Sequence, residues 1–394
     1  MLGLIDKLLS LFDNRKLACE VGYQRGNADL LPTLRQYAGQ VTDVYFSLPG
    51  DPTYYGAWGM AGEVEWKVLY ERFLMDLDEI RGIGISAIVC VDASCYGANF
   101  SSEEMMKHIA EMLRSISGHI RIRAVTTSSF PVAECLRQMN SSLKIRASEG
   151  MHLMSVRQLA LTSHLFNGYY IGYEGVRDMD EIVRMRKWCD DNGKTLHIVP
   201  NNSCLYCCPY YIYHGNVQSH LQDIVLAQKD PNVPLVDRTA PCERLLAKPE
   251  NKAKILQGLW IRPEDMRHVS YYFDSMRLAT RTSKNLPDIV KAYCEGHWDG
   301  NLCDILESMH DHSAAFPVIH NNRFPKNWFK KTSTCGHRCV CQGGMELPVP
   351  AQPAHQAVHH IRRYTWIFQR LHGKRRSPGH RKQILVLGLQ AIPI

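Results

Sequence analysis

Three cysteines fall within five residues in Cys204-Leu-Tyr-Cys207-Cys208, and a fourth follows at Cys242 in Ala-Pro-Cys-Glu. Thiolates are soft donors, and a compact group of them selects zinc, copper(I) or an iron–sulfur cluster. Structural zinc is ordinarily held by two separated pairs of Cys-x2-4-Cys or His-x3-5-His type. One tight group with a distant fourth cysteine matches better a [4Fe-4S] cage whose ligands come asymmetrically from neighbouring loops. Adjacent residues seldom both reach one cluster, so Cys204 and Cys208 form the expected core pair, Cys242 joins them, and Cys207 is the weaker candidate. Structural zinc and bare thiols stay open as alternatives. The radical-SAM spacing, Cys-x3-Cys-x2-Cys, is not present.

A second group, Cys335-Gly-His337-Arg-Cys339-Val-Cys341, follows an aromatic and basic stretch. It could donate a missing ligand, build a separate site with Cys303, or do nothing. The remaining cysteines of the fourteen in the chain, such as Cys90 and Cys189, sit in apolar patterns and read as small buried hydrophobes. The N-terminal MLGLIDKLLSLFDNRK is broken by Asp6 and Lys7 and lacks a cleavage-site pattern, so no secretory leader and no disulfides are expected. No apolar run reaches the roughly 18 residues that a membrane span requires, and a cytoplasmic location is expected.

Chemistry of this kind needs a frame that brings loops together. Short β-rich runs alternate with helical patterns along the chain: Leu17–Val21, Val41–Ser47, Ser86–Asp92, Arg121–Thr126, Leu143–Arg146, Tyr169–Tyr173 and Thr195–Val199 as strands, with helices expected over Ala28–Tyr37, Glu63–Arg81 and Leu286–Cys294. An eighth strand is either Gly258–Ile261 or Ser275–Leu278. Capping boxes at Ser101-Ser-Glu-Glu104 and Asp178-Met-Asp-Glu181 open two further helices, the second with Ile182, Met185 and Cys189 along one apolar face. Eight repeats predict an α/β protein with a (β/α)8 TIM-type barrel. The expected organisation is an N-terminal helix over 1–16, the barrel with the cluster site over 17–300, a cysteine-containing C-terminal extension over 301–342, and a basic, poorly ordered tail over 343–394.

In such a barrel, function sits where strands pass into the following loops. Polar residues collect there: Glu20, Asn99, Glu149 and His152, Glu174, Asn201 and Asn202, Arg262 and Arg281. Glu149, His152 and Glu174 are the candidate proton-handling groups. Arg262 and Arg281 are the candidate clamps for a carboxylate-bearing ligand, because guanidinium binds carboxylate bidentately.

Net charge narrows the partners. The chain carries +7 overall, but from Lys331 onward ten Lys/Arg face one acid, a local +9, which leaves −2 for residues 1–330. Any RNA or anionic-surface contact therefore belongs to the tail rather than to the barrel.

Glu20-Val-Gly-Tyr-Gln-Arg-Gly-Asn27, Val44-Tyr45-Phe46, Tyr173-Glu174, Asn202…Cys204…Cys208-Pro…His214 and Ile261-Arg-Pro-Glu-Asp265 together resemble the collagenase-like peptidase family, U-32, over roughly residues 17–300. The resemblance implies a four-cysteine [4Fe-4S] cluster matched here by Cys204, Cys208 and Cys242, with Cys207 weaker; family members usually space these cysteines more widely. It also implies oxygen-independent hydroxylation of an organic, RNA or peptide substrate, a prephenate-like oxygen donor, and a possible heteromeric protein partner. A non-catalytic cluster-bearing scaffold is the alternative. Peptidase chemistry fares worse, since neither a Ser/His/Asp or Cys/His nucleophile set nor a His-Glu-x-x-His helix is apparent.

Overall fold

The computed structural model describes residues 16–49, 63–99, 101–220, 241–307 and 318–334. The expected N-terminal helix, the second cysteine group at Cys335, Cys339 and Cys341 with His337, and the tail over 343–394 lie outside the described residues.

Eight parallel strands close into a barrel in chain order: β1 (Ala18–Gly22), β2 (Val41–Ser47), β3 (Ser86–Val91), β4 (Ile122–Thr127), β5 (Ile145–Ala147), β6 (Gly168–Tyr170), β7 (Thr195–Ile198) and β8 (Ser275–Leu278). The fold is the expected (β/α)8 barrel. Closure falls to Ser275–Leu278: Ser275 pairs with His197 of β7, and Arg277 pairs with Glu20 of β1. The other candidate, Gly258–Ile261, runs beside the loop after β7 instead. There the Ile261 N–H donates to the Pro200 carbonyl at 2.8 Å and the Leu259 N–H to the Cys204 carbonyl at 3.3 Å. That segment braces the cysteine loop rather than the ring.

Ten helices stand among the described residues: α1 (Leu30–Gln36), α2 (Glu63–Gly82), α3 (Glu103–Ser117), α4 (Phe130–Met139), α5 (Val156–Leu161), α6 (Met179–Asp191), α7 (Tyr211–Ser219), α8 (Pro241–Ala247), α9 (Leu286–Glu295) and α10 (Trp328–Ser333). The cap of α3 is Ser102, one residue past the expected start of the box, and its hydroxyl accepts the Met105 N–H. Asp178 caps α6 as expected, accepting the Glu181 N–H at 3.1 Å. The reciprocal half of that box does not form. Glu181 Oε1 accepts the Val156 N–H at 2.9 Å and so caps α5 instead, while Ile182, Met185 and Cys189 are buried beneath α6.

Strand residues alternate between two environments because successive side chains point to opposite faces. Cys19, Val21, Val44, Phe46, Ala87, Val89 and Val91 join the apolar layer under the helices. Tyr45, Ile88 and Cys90 form a separate cluster, and Glu20, Ser275 and Arg277 bond to one another across the ring. A barrel interior of this kind is tolerable only because its polar groups are paired. Beyond β8, Leu302, Ile305, Phe324, Trp328 and Phe329 pack into the same core, with Trp328 stacked on Trp260 at 6.0 Å, so residues 301–307 and 318–334 pack onto the barrel. Among the described residues, no helix is long and apolar enough to cross a membrane.

Candidate functional site

Inside the barrel a ladder of paired charges climbs toward the loops. Glu20 is fully buried; its Oε1 accepts from Arg146 Nη1 at 2.8 Å and from the Ser275 hydroxyl at 2.5 Å, and its Oε2 accepts from Arg277 Nε at 3.2 Å and from the Tyr170 hydroxyl. Burial alone would raise the Glu20 carboxyl, but Arg146 and Arg277 outweigh it and hold the group down at about 2. Arg277 lies between the rings of Tyr45 and Tyr170, 4.7 and 3.9 Å from their centroids, and its Nη1 reaches Glu149 Oε2 at 3.6 Å. Cation–π contacts of this buried kind contribute up to ~2 kcal/mol each.

Above the ladder a cavity of about 190 Å³ opens among the loops that follow the strands. Glu149 comes from the turn after β5, Tyr173 from the turn after β6, and Asn202, Cys204 and Cys208 from the loop after β7. Cys242 of α8, Arg281 after β8 and Glu307 also reach it. The cysteines arrive together for traceable reasons. The Asn202 side chain accepts the Cys204 N–H at 2.8 Å through Oδ1 and donates from Nδ2 to Glu307 Oε2 at 2.7 Å. Asn201 fixes the strand end below, donating to the carbonyls of Ala279 and Ile305 and accepting the Ala279 N–H.

The predicted site residues divide into those the fold gathers and those it does not. Cys204, Cys208, Cys242, Glu149 and Arg281 line the cavity. Cys207 has a left-handed backbone (φ 53°), is exposed, and does not line it. His152 and Glu174 stand one layer out: His152 Nδ1 meets Glu174 Oε2 at 3.0 Å, and the imidazole sits edge-on to Tyr211, a wall residue, at 4.2 Å. That hydrogen bond holds the Glu174 carboxyl below the ordinary carboxylate range. His152 itself occupies left-handed backbone (φ 51°), pressed against Gly172, where an added Cβ would lie 2.9 Å from His152 Cα.

Arg262 is a correction. Its guanidinium is buried in a bidentate pair with Asp265, Nε to Oδ2 at 2.7 Å and Nη2 to Oδ1 at 3.0 Å, and lies 4.8 Å over the Phe324 ring, away from the cavity. A cation already matched by a carboxylate three residues on cannot serve a ligand without leaving that acid buried and alone. Arg281, the other expected clamp, does line the cavity. It lies 5.4 Å over the Tyr45 ring and donates to the Ser47 hydroxyl at 2.9 Å.

Among the residues at or beneath the cavity wall that went unforeseen are Tyr45, Tyr173, Glu307 and, below them, Arg277. Arg277 shares the inward parity of Ser275 on β8, a signal that strand alternation carries; Glu307 lies beyond the last strand and has no such marker. Burial raises the Glu307 carboxyl and Glu149 adds to this against Arg281, placing it at about 7.

The donor set suits a soft metal centre. Burial pushes the Cys204 thiol up, and Glu307, Cys208 and Cys242 push it further; a cation placed among them would invert that balance and favour thiolate. No three His, Cys, Asp or Glu side chains among the described residues converge on a single-ion position. The Cys204, Cys208 and Cys242 thiols line one cavity.

A stretch of 114 residues is 31% identical to an uncharacterized protease of Methanocaldococcus jannaschii, covering 28% of this chain and 32% of that protein. The match thus spans about a third of the relative's length. The solved structure of a U32 peptidase aligns with 66% of this chain and 91% of its own, at 12% identity and a TM-score of 0.45. The chain is similar to the U32 peptidases. A dipeptide epimerase from Enterococcus faecalis aligns more weakly, covering 49% of this chain and 50% of its own at 14% identity, with a TM-score of 0.32. No family model matches the chain. The barrel architecture rests on the chain's own closed ring of eight strands.

Proposed function

We propose that this protein is a cytoplasmic iron–sulfur enzyme that hydroxylates an organic, RNA or peptide substrate without molecular oxygen, drawing oxygen from a small carboxylated donor of the prephenate type. The observation that carries the reading is the meeting of Cys204, Cys208 and Cys242, from two separate segments, on the wall that also presents Arg281. Those three thiols would hold a [4Fe-4S] cluster with one further ligand. Such a cluster supplies single-electron chemistry when bound.

The chain's own groups have separate tasks. Arg281 binds the donor carboxylate, with the Tyr45 ring beneath its guanidinium fixing its direction. Arg277 holds Glu149 from below, and the Tyr173 hydroxyl donates to Glu149 Oε1 at 3.3 Å, so the carboxylate is aimed into the cavity. Glu174 Oε2 faces His152 Nδ1 and fixes the ring against Tyr211, which places a proton-accepting pair one side chain from the wall. Aromatic walls limit water around the reacting atoms.

Anaerobic purification with iron and sulfide analysis and a visible spectrum tests the reading. A brown protein containing about four irons and four sulfides per chain, whose iron is lost in Cys204→Ser, Cys208→Ser or Cys242→Ser but kept in Cys207→Ser, is the expected result. A colourless, iron-free preparation made without oxygen would falsify it.

A further inference from the structure

A second sulfur site lies at the cavity rim, outside the cysteine set above. Cys95, in the loop between β3 and α3, faces His220 at the end of α7, whose imidazole hydrogen-bonds the thiol. The Gly97 N–H donates to Cys95 Sγ at 3.4 Å from the other side. Gly97 has φ 53°, and a Cβ built there would sit 3.4 Å from His220 Cε1, so the imidazole packs directly against this glycine. The Ser219 hydroxyl accepts the Ser94 and Cys95 N–H groups at 3.1 and 3.3 Å, stapling the loop to the last turn of α7. Ser94 and Ser219 are themselves cavity-wall residues. Cys95 is partly exposed.

No other described cysteine with a displaced thiol behaves this way. Burial pushes up Cys19, Cys90, Cys135, Cys189, Cys204 and Cys303, whereas His220 first, and the Gly97 amide second, push Cys95 down. A partly exposed thiol with a hydrogen-bonding base and an amide donor has the surroundings of a reactive nucleophile, while buried thiols are inert. The two residues lie too far apart in sequence to have been paired by motif.

We propose that Cys95 and His220 form a nucleophile–base pair at the cavity rim, a modification site for soft carbon electrophiles. The His220 ring accepts the thiol proton. The sulfur lone pair then attacks the carbon bearing the leaving group; a C–S bond forms as the carbon–halogen bond breaks, and the halide departs with the bonding pair. No outside oxidant or reductant takes part.

The test is iodoacetamide labelling of the full-length protein between pH 5.5 and 9.5, read cysteine by cysteine in peptide mass spectra, with half-buried Cys135 of α4 as the internal reference. Expected is a Cys95 labelling midpoint below that of Cys135, with labelling at pH 7 on the order of tenfold faster. In His220→Gln the Cys95 midpoint should rise and its rate fall several-fold while Cys135 is unchanged, which also reports that the variant is folded. The wild-type profile alone decides the matter if that variant fails: a Cys95 midpoint at or above that of Cys135 overturns the proposal. So does a His220→Gln profile indistinguishable from wild type.

Discussion

Arg277 is held between two tyrosine rings and bonded to Glu20, Thr126 and Tyr170, which makes it a structural counter-ion beneath Glu149. Removing one partner of a buried charge pair costs about 3–5 kcal/mol because the survivor stays uncompensated. Arg277→Met should therefore lower the unfolding free energy measured in urea by that order, even though methionine fills a similar volume; a loss below about 1 kcal/mol would mean that Arg146 alone suffices for Glu20. Glu307 predicts the opposite kind of pH behaviour. Its folded value of about 7 lies above its ordinary 4.5, so the folded state holds the proton longer than the unfolded chain does. Stability should fall as pH rises from about 4.5 to 7 and level off beyond, by a few kcal/mol at most. In chelator-treated protein, Glu307→Gln should remove that fall; equal slopes for variant and wild type in urea titrations at pH 5 and 8 would refute it.

Close approach between neighbouring strand ends positions Arg281. Gly22 ends β1 and donates its N–H to the Thr280 hydroxyl at 2.8 Å. An added Cβ there would lie 2.6 Å from Arg281 Cγ and 2.8 Å from the Arg281 backbone nitrogen. The backbone atom cannot swing aside as a side chain can, so Gly22→Ala should cost about 1–3 kcal/mol and displace Arg281 without altering its charge. Weaker binding of a dicarboxylate by calorimetry, together with a lower melting temperature, is the expected outcome. Unchanged binding would show that Arg281 does not set the ligand's position. The same closeness appears between β6 and β7, where a Cβ on Gly168 would meet the Thr195 hydroxyl.

Across the whole barrel, closure depends on β1 pairing with β8, and Glu20 and Arg277 stand opposite one another at that seam. Acid should therefore loosen the ring from within. Glu20 is held at about 2 against an ordinary 4.5, so its contribution is complete above about pH 4.5 and is lost as pH falls toward 2. That amounts to about 3 kcal/mol for a shift of this size. Urea midpoints measured from pH 5 down to pH 2.5 should drop accordingly, and Glu20→Gln should flatten the drop. A midpoint insensitive to acid would show that the ladder is not what holds the seam.

The linear pattern determined the architecture and most of the chemistry-bearing loops. Short β-rich runs alternating with helical stretches located seven strand regions and left the eighth between two segments, because burial under a layer of helices marks each segment separately. The strand β6 began one residue earlier than expected and ended at Tyr170, since the chain turns into a short helical turn at Tyr173–Gly175. Convergence was another matter. Which of two segments closes the ring, whether Arg262 or Arg281 faces the cavity, and that Cys204, Cys208 and Cys242 share a wall while Cys207 does not, were decided by long-range pairing. A guanidinium reads the same in sequence whether it meets Asp265 or open space, and a thiol's environment is made by residues hundreds of positions away. Only the closed barrel, by bringing eight loops to one end, gives those side chains their neighbours and hence their charges.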